Sequence, residues 1–138
     1  LCEINGDFVA HLERRFDSDP DWKKLRNQVT IHHGPVETLT TAEPFDHIIC
    51  GLPFNNFPPE VVEHIFQSFE KALKPGGTAN FFEYAAIRRL KGPFVGKKEK
   101  ERLRQIAGIL GKIIQKRQKR ARLILLNFPP AWTRSLQY

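Results

Sequence analysis

A β-strand, a loop that contains a proline, a helix and a second strand are predicted in succession over residues 45–83, and this order constrains the fold most. Residues 46–50 are apolar in their second half, which is typical of strands in parallel sheets. Pro58-Pro59 favours a helix start, and Lys74-Pro-Gly-Gly77 supplies the cation, proline and glycines that end a helix. In open α/β sheets, ligands bind outside the carboxyl ends of the strands. The loop that follows Cys50 is therefore a candidate active site.

The same alternation of helical and strand patterns continues along the chain. Apolar residues at helical spacing predict helices over residues 8–16, 59–73 and 97–120, a short turn over 22–26, and a helix over 84–90. Apolar or β-branched runs predict strands over residues 1–4, 29–33, 78–83, 122–127 and 131–138. This alternation indicates an α/β fold, with an open, doubly wound, mainly parallel sheet and helices on both faces. No linker or repeat divides the chain, so a single domain over residues 1–138 is predicted.

The composition fits a globular domain with its own core. The chain has 138 residues, 41% of them hydrophobic, and no apolar run of the roughly 18 residues that a membrane-spanning helix needs. Cys2 and Cys50 lie in apolar segments, which predicts two reduced core thiols. The five histidines lack metal-ligand spacing, so no metal site is predicted.

Because the chain has no methionine and starts inside a predicted strand, we expect a fragment of a longer protein.

The net charge of +7 comes from one segment. Residues 97–122 hold 11 Lys and Arg against two Glu, whereas the rest of the chain holds 11 basic and 13 acidic residues. A basic amphipathic helix can bind an anionic membrane; the alternative is a surface helix that packs on the sheet with a solvated basic side. The same charges suit RNA phosphates, but no aromatic residue lies between residues 97 and 127 to stack on bases. We therefore expect residues 97–122 to contact an anionic membrane surface rather than a nucleic acid.

The order of these motifs resembles the Rossmann-type methyltransferases that use S-adenosylmethionine, from the second strand of that family onward. Within that family, residues 51–56, 82–91 and 126–131 are most similar to the bacterial phospholipid N-methyltransferases, which methylate phosphatidylethanolamine toward phosphatidylcholine. The resemblance implies S-adenosylmethionine as the cofactor. It also implies a fold that here lacks its first strand and glycine-rich loop, because the chain contains no Gly-x-Gly. We therefore expect this chain to bind S-adenosylmethionine weakly or not at all.

The resemblance assigns the cofactor to residues that follow predicted strands. Glu3 matches the acidic residue that holds the two ribose hydroxyls; the alternative is that Glu3 caps the following helix. Gly34 matches the loop that borders the adenine. Pro35 stands where many relatives carry an acidic residue, so backbone groups or Glu37 would replace that contact. The residues assigned to the cofactor are Glu3, Ile4, Gly34, Pro35, Val36 and Gly51.

The loop over residues 51–56 matches the loop that orients the acceptor amine in amino-directed methyltransferases. In that loop, a carbonyl and an Asn oxygen accept from the amine, and an aromatic face favours the developing cation. Gly51 stands where those enzymes carry the Asn, so Asn55 or Asn56 is the candidate substitute. The alternative is a structural strand-to-helix turn. The residues predicted to act on the acceptor are Gly51, Leu52, Pro53, Phe54 and Tyr84.

Glu83 and Tyr84 follow the next strand at the same edge of the sheet, where they are candidates for taking the amine proton or, alternatively, for a structural helix start. Taken with the basic segment, these features predict an enzyme at the cytoplasmic surface of the inner membrane. It would transfer a methyl group directly to the ethanolamine nitrogen of a phospholipid. One alternative is an RNA adenine N6-methyltransferase, against which the missing Asn before Leu52 argues. The other is a non-catalytic basic module that binds anionic surfaces.

Overall fold

The computed structural model describes residues 1–84, 96–126 and 129–138, and the chain forms two compact units, Leu1–Thr41 and Ala42–Tyr138. Each unit contains both helices and β-strands, so the predicted α/β class is confirmed. Among the described residues, no helix combines the length and the apolar character needed to cross a bilayer.

The first unit contains two short parallel strands and two α-helices. In chain order, these are β1 (Cys2–Glu3), α1 (Gly6–Ser18), α2 (Pro20–Lys23) and β2 (His32–His33). Asn5 caps α1, because its Oδ1 accepts the backbone N–H groups of Asp7 at 2.8 Å and Phe8 at 3.4 Å. Asn5, and not Glu3, is therefore the N-cap of this helix.

Two predictions for the first unit are wrong. A strand over residues 29–33 is predicted, but β2 is only two residues long, because its partner β1 offers only two residues for pairing. The amino group of Leu1 donates instead to the carbonyl oxygen of Thr30 at 2.7 Å. Cys2 is predicted to be a core thiol, yet it is exposed, whereas Cys50 is buried as predicted. A sheet of two two-residue strands is too small to bury the side chains on both of its faces, so Cys2 stays exposed.

The second unit is built on a four-stranded sheet with the strand order β3-β4-β6-β5. Its strands are β3 (Phe45–Cys50), β4 (Leu73–Tyr84), β5 (Gln118–Ile124) and β6 (Ala131–Gln137). β3 and β4 are parallel, whereas β6 is antiparallel to both of its neighbours. The sheet is thus mixed: β3, β4 and β5 run in one direction, and β6 runs against them. The carboxyl ends of β3 and β4 consequently lie at the same edge.

Lys74-Pro-Gly-Gly77 forms an irregular entry into β4 instead of the predicted turn between a helix and a strand. The preceding helix, α3 (Pro59–Ala72), ends as predicted, but the chain then enters β4 directly, and the register against β3 shifts here. Gly76 has a φ of 82°, which favours glycine. A Cβ on Gly77 would lie 2.9 Å from the backbone oxygen of Lys74. The glycines therefore allow the chain to bend while it joins the sheet.

Helices α3 and α4 (Lys97–Arg117) pack together on one face of this sheet. The buried side chains come from their predicted apolar stripes: Val62, Ile65, Phe66 and Phe69 in α3, and Leu103, Ile106 and Leu110 in α4. Phe66 meets Phe81 of β4 with the ring centroids 5.7 Å apart. Arg117 of α4 pairs with Glu70 of α3. On the opposite face, Ile49 of β3 is 90% exposed.

The boundary between α4 and β5 falls earlier than predicted. The sequence predicts a helix over residues 97–120 and a strand over 122–127, but α4 ends at Arg117 and β5 begins at Gln118. The pairing of Gln118 with Leu136 of β6 draws this segment into the sheet. Gln, Lys and Arg favour helices, so long-range strand pairing overrides the local preference here.

Candidate active site

The loop that follows β3 is ordered by a 3₁₀ turn over Phe54–Asn56. The backbone N–H of Asn56 donates to the carbonyl oxygen of Pro53 at 2.8 Å, and that of Phe57 donates to the carbonyl oxygen of Phe54 at 3.2 Å. Gly51, at the start of the loop, is exposed, and a Cβ built there would meet no atom within 4 Å. The loop conformation therefore does not require a glycine at position 51.

Phe54 anchors this loop in the core. Its side chain is only 4% exposed, and its ring centroid lies 5.0 Å from that of Phe66 and 5.5 Å from that of Phe81. Aromatic pairs of this kind contribute about 0.5–1.5 kcal/mol beyond the burial of their surface. The Phe54 ring was predicted to meet the acceptor amine, but most of its surface is buried against Phe66 of α3 and Phe81 of β4.

A pocket of about 180 Å³ lies where the loop meets the carboxyl end of β4. Its walls are loop residues 53–56, strand residues 82–84 and Leu110 of α4. The structure therefore brings Pro53, Phe54 and Tyr84 together, whereas Gly51 and Leu52 lie outside this lining. Because a water molecule occupies about 30 Å³ in the liquid, the pocket has room for a small polar head group.

Asn55 lines this pocket, and its side chain contains an unpaired hydrogen-bond acceptor. Its Oδ1 is buried and has no hydrogen-bond partner among the residues that the structure describes. A buried polar atom without a partner costs about 1–3 kcal/mol, so such atoms are rare in folded proteins. A ligand with an N–H group would satisfy this oxygen. Of the two candidates for the missing Asn, Asn55 is thus the better placed, because Asn56 is exposed.

Glu83 lines the pocket but is engaged in an ion pair. Its Oε1 accepts a hydrogen bond of 2.7 Å from Nε of Arg134, and the two side chains are only 14% and 17% exposed. Arg134 also donates to Oε1 of Gln118 at 2.5 Å. A carboxylate that binds a guanidinium in this way is a poor acceptor for the proton of an amine. Glu83 instead joins β4 to β6 through Arg134, which in turn reaches Gln118 of β5.

Tyr84 ends β4, where the sequence predicts the start of a helix. Its ring packs edge-to-face on Phe82, with the centroids 5.5 Å apart. Residues 85–90 of that predicted helix lie outside the described residues. Tyr84 therefore forms an aromatic wall of the pocket. The predicted helix does not start at this residue, because the pairing of β4 with β6 continues through Tyr84.

Arg102 of α4 reaches the loop and is a site residue that sequence reasoning missed. Its guanidinium donates to the carbonyl oxygens of Asn55 at 2.8 Å and Phe57 at 2.6 Å. In the sequence, Arg102 is one cation of the basic segment. The one feature that could have indicated an oriented side chain is the acidic Glu99 three residues earlier, at helical spacing. The hydrogen bond to Glu99 raises the pKa of the Arg102 guanidinium further above its usual value, so the group stays charged.

The residues predicted to bind the cofactor in Leu1–Thr41 meet at one end of the β1–β2 pair. The backbone N–H of Gly34 donates to the carbonyl oxygen of Glu3 at 2.9 Å, which brings the two strand ends together. Oε1 of Glu3 accepts the N–H of Asn5 at 2.8 Å, while Oε2 has no hydrogen-bond partner within the described part of the chain. Ile4 is 68% exposed beside them.

The loop after β2 is tight at Gly34. A Cβ there would lie 3.2 Å from Nε2 of His32 and 3.3 Å from Oγ1 of Thr38, which are closer than ordinary contacts. Pro35 is extended and leads into a 3₁₀ turn over Val36–Thr38. Within residues 1–84, 96–126 and 129–138, no group of three or more His, Cys, Asp and Glu side chains could hold a metal ion.

No protein-family profile and no curated protein sequence matches the chain. Solved structures do match. N-methyltransferase NodS from Bradyrhizobium japonicum, in complex with S-adenosyl-L-homocysteine, has a TM-score of 0.65 and 11% identity over 99% of this chain and 64% of its own. SMU.1697c from Streptococcus mutans, also in complex with S-adenosyl-L-homocysteine, has a TM-score of 0.61 and 11% identity over 99% of this chain and 74% of its own.

A protein from Bordetella parapertussis matches with a TM-score of 0.63 and 16% identity over 99% of this chain, which spans 51% of its length. The chain thus spans between about half and three quarters of these three structures. At such low sequence identity, the likeness shows the fold. The chain has the Rossmann-like fold of the class I methyltransferases, as the resemblance implied.

Proposed function

We propose that the chain carries the acceptor site of an S-adenosylmethionine-dependent N-methyltransferase whose substrate is the amine of a phospholipid head group, phosphatidylethanolamine. The observation that carries this proposal is the buried, unpaired Oδ1 of Asn55, a residue that lines a pocket on the edge of the sheet where α/β enzymes bind ligands. An oxygen acceptor can bind an N–H donor, and the aromatic and aliphatic walls from Phe82, Tyr84 and Leu110 suit a neutral amine.

The residues of Leu1–Thr41 fit the nucleoside part of the cofactor. Oε2 of Glu3 is available to accept from ribose hydroxyls. The complexes of NodS and SMU.1697c with S-adenosyl-L-homocysteine support the same cofactor class. When bound, S-adenosylmethionine supplies an electrophilic methyl group.

The chain's own residues bind and orient the acceptor. Asn55 Oδ1 accepts one N–H of the neutral amine, which directs the nitrogen lone pair away from the amide. The nitrogen lone pair would form the new N–CH₃ bond as the S–CH₃ bond breaks, the neutral thioether S-adenosyl-L-homocysteine would leave, and the extra proton on nitrogen would pass to water. Phe54 and Leu110 keep water from part of the pocket, and the pairing of Glu83 with Arg134 holds the β4 wall in place.

The phospholipid part of the proposal is supported by the surface of residues 97–122 and the loop that follows β5. Of the 11 Lys and Arg in this segment, three form ion pairs: Arg102, Arg104 and Arg117. The other eight have no ion pair within the described residues: Lys97, Lys98, Lys100, Lys112, Lys116, Lys119, Arg120 and Arg122. Leu125 and Leu126, just after β5, are 71% and 101% exposed. Free cations beside exposed leucines are typical of proteins that bind the cytoplasmic surface of an anionic membrane, which is where we place the enzyme.

Methyl transfer from isotope-labelled S-adenosylmethionine tests the proposal, with the full-length gene product that contains residues 1–138. Three acceptors are compared: anionic vesicles with phosphatidylethanolamine, anionic vesicles with phosphatidylcholine in its place, and structured RNA. We expect label in the phosphatidylethanolamine vesicles alone. Label on RNA adenine would overturn the proposal in favour of the RNA alternative. Vesicle binding without label in any acceptor would favour the non-catalytic module.

A further inference from the structure

The guanidinium of Arg102 is held between an acidic side chain of its own helix and the backbone of the loop that carries Asn55. Its Nε and Nη2 donate to the two carboxylate oxygens of Glu99 at 2.8 and 2.5 Å. Its Nη1 and Nη2 donate to the carbonyl oxygens of Phe57 and Asn55 at 2.6 and 2.8 Å. The side chain is only 26% exposed. One residue of α4 thus makes hydrogen bonds to the middle of the 3₁₀ turn, at Asn55, and to the residue that follows it, Phe57.

From this geometry we infer that Arg102, oriented by Glu99, is a positioning residue that holds the loop over residues 53–57 in its pocket-forming conformation. The inference rests on the proposed function for its kinetic consequence, but not for its effect on the loop. Within the described residues, the backbone hydrogen bonds of the turn join only near neighbours, such as Asn56 and Pro53, while the packing of Phe54 fixes the first residue of the turn. Leu110 of the same helix lines the same pocket, so α4 supplies one wall of the pocket. It also supplies the hydrogen bonds of Arg102 to Glu99, Asn55 and Phe57, which we call the clamp.

The side-chain type matters as much as its charge. A guanidinium is planar and carries five N–H donors, which lets one side chain bind a carboxylate in a bidentate manner and two carbonyl groups at once. The ammonium of a lysine is a point charge at the end of a flexible chain and cannot bind all four acceptors with this geometry. Arg102→Lys should therefore retain the charge and part of the clamp, whereas Arg102→Gln should lose most of it.

The same helix contains a matched control. Arg104 pairs with Glu101 at 3.0 Å with the same three-residue spacing, but its side chain is 79% exposed. Within the described residues, Arg104 makes no hydrogen bond to the loop. Arg104→Gln therefore removes an equal charge and an ion pair of the same spacing from α4 without touching residues 53–57.

Amide hydrogen exchange of the intact protein tests the clamp directly. In Arg102→Gln, the amides of residues 54–57 should exchange about ten- to hundredfold faster, because two hydrogen bonds to a charged donor are lost. Exchange in α3, residues 59–72, should change little, and Arg104→Gln should leave both segments unchanged. Loop exchange in Arg102→Gln that equals that of Arg104→Gln, or an increase spread evenly over α3, would overturn the inference.

Kinetics separate this inference from the proposed function. If the enzyme methylates amines, Arg102→Gln should lower kcat at least about tenfold with little change in the KM for S-adenosylmethionine, and Arg102→Lys should recover part of the loss. Faster loop exchange with an unchanged kcat would reject a role in positioning. If the wild type transfers no methyl group at all, the proposed function fails, while the exchange experiment still decides whether Arg102 holds the loop.

Discussion

At the scale of single residues, the unpaired Oδ1 of Asn55 separates a binding role from a structural one. Asn55→Ala removes an acceptor whose missing partner costs about 1–3 kcal/mol, so we expect the free energy of unfolding to stay within about 1 kcal/mol or to rise. The rate of amine methylation should fall at least about tenfold, because the amine loses its acceptor. Urea unfolding and initial rates measure the two effects.

The exposed neighbour provides the control for this prediction. Asn56→Ala alters the same loop but removes an exposed amide, so its effect on the rate should be much smaller. A loss of stability above about 1 kcal/mol in Asn55→Ala, with an unchanged rate, would show that the amide serves the fold alone.

Gly51 allows a second prediction, which concerns stability: neither its surroundings nor its backbone conformation requires a glycine. Gly51→Asn restores the residue that amino-directed methyltransferases carry, and a Cβ at this position meets no atom within 4 Å. We expect the free energy of unfolding to rise by about 0.5 kcal/mol, since the unfolded chain loses conformational freedom. Gly77→Ala is the contrasting variant: its Cβ would lie 2.9 Å from the backbone oxygen of Lys74, and stability should fall by about 1–3 kcal/mol. Urea unfolding distinguishes the two.

At the scale of elements, the ion pair between Glu83 and Arg134 joins β4 to β6 beside the pocket. Glu83→Gln leaves a largely buried guanidinium without its carboxylate partner and should lower the free energy of unfolding by about 1–3 kcal/mol. A double-mutant cycle with Arg134→Gln should give a coupling energy above about 1 kcal/mol. The exposed pair of Glu101 and Arg104 should give less than about 1 kcal/mol, and equal coupling in the two cycles would contradict the assignment.

Element boundaries show what the sequence can and cannot predict. Apolar periodicity predicts α3 and β3 to within a residue or two, because these elements are specified by local patterns and end at local signals. The start of β5 and the end of β4 depend on β6, which pairs with both strands. Residues 118–120 favour a helix locally, so only knowledge of that pairing could assign them to a strand.

The place of a pocket at this edge could be predicted from the sequence, but the contacts around the pocket could not. The loop after β3 follows from the rule that ligands bind at the carboxyl edge of parallel strands, and the pocket lies there. The contacts of Arg102 with Asn55 and of Arg134 with Glu83 join residues that are 47 and 51 positions apart. No local pattern encodes such distances, so the sequence presents Arg102 only as one cation in a basic run.

At the scale of the whole molecule, the basic charge is concentrated at residues that form no ion pairs within the described part of the chain. Lys119, Arg120 and Arg122 lie on β5, an edge strand, next to the exposed leucines of the following loop. Each cation near an anionic bilayer contributes about 1 kcal/mol to binding. Replacing all three with Gln should therefore weaken binding to anionic vesicles about 100-fold, as measured by vesicle sedimentation at physiological ionic strength.

A triple variant elsewhere on the chain tests whether this surface, and not the net charge, is responsible. Arg14→Gln, Lys23→Gln and Lys71→Gln together remove the same three charges from exposed positions outside residues 97–122. This variant should bind anionic vesicles within a few-fold of the wild type, because screening at physiological salt limits each charge to a range of about 8 Å. If the two triple variants lose affinity equally, the basic segment is not a membrane-binding surface. If neither binds less tightly than the wild type, electrostatic attraction does not hold the protein at the bilayer.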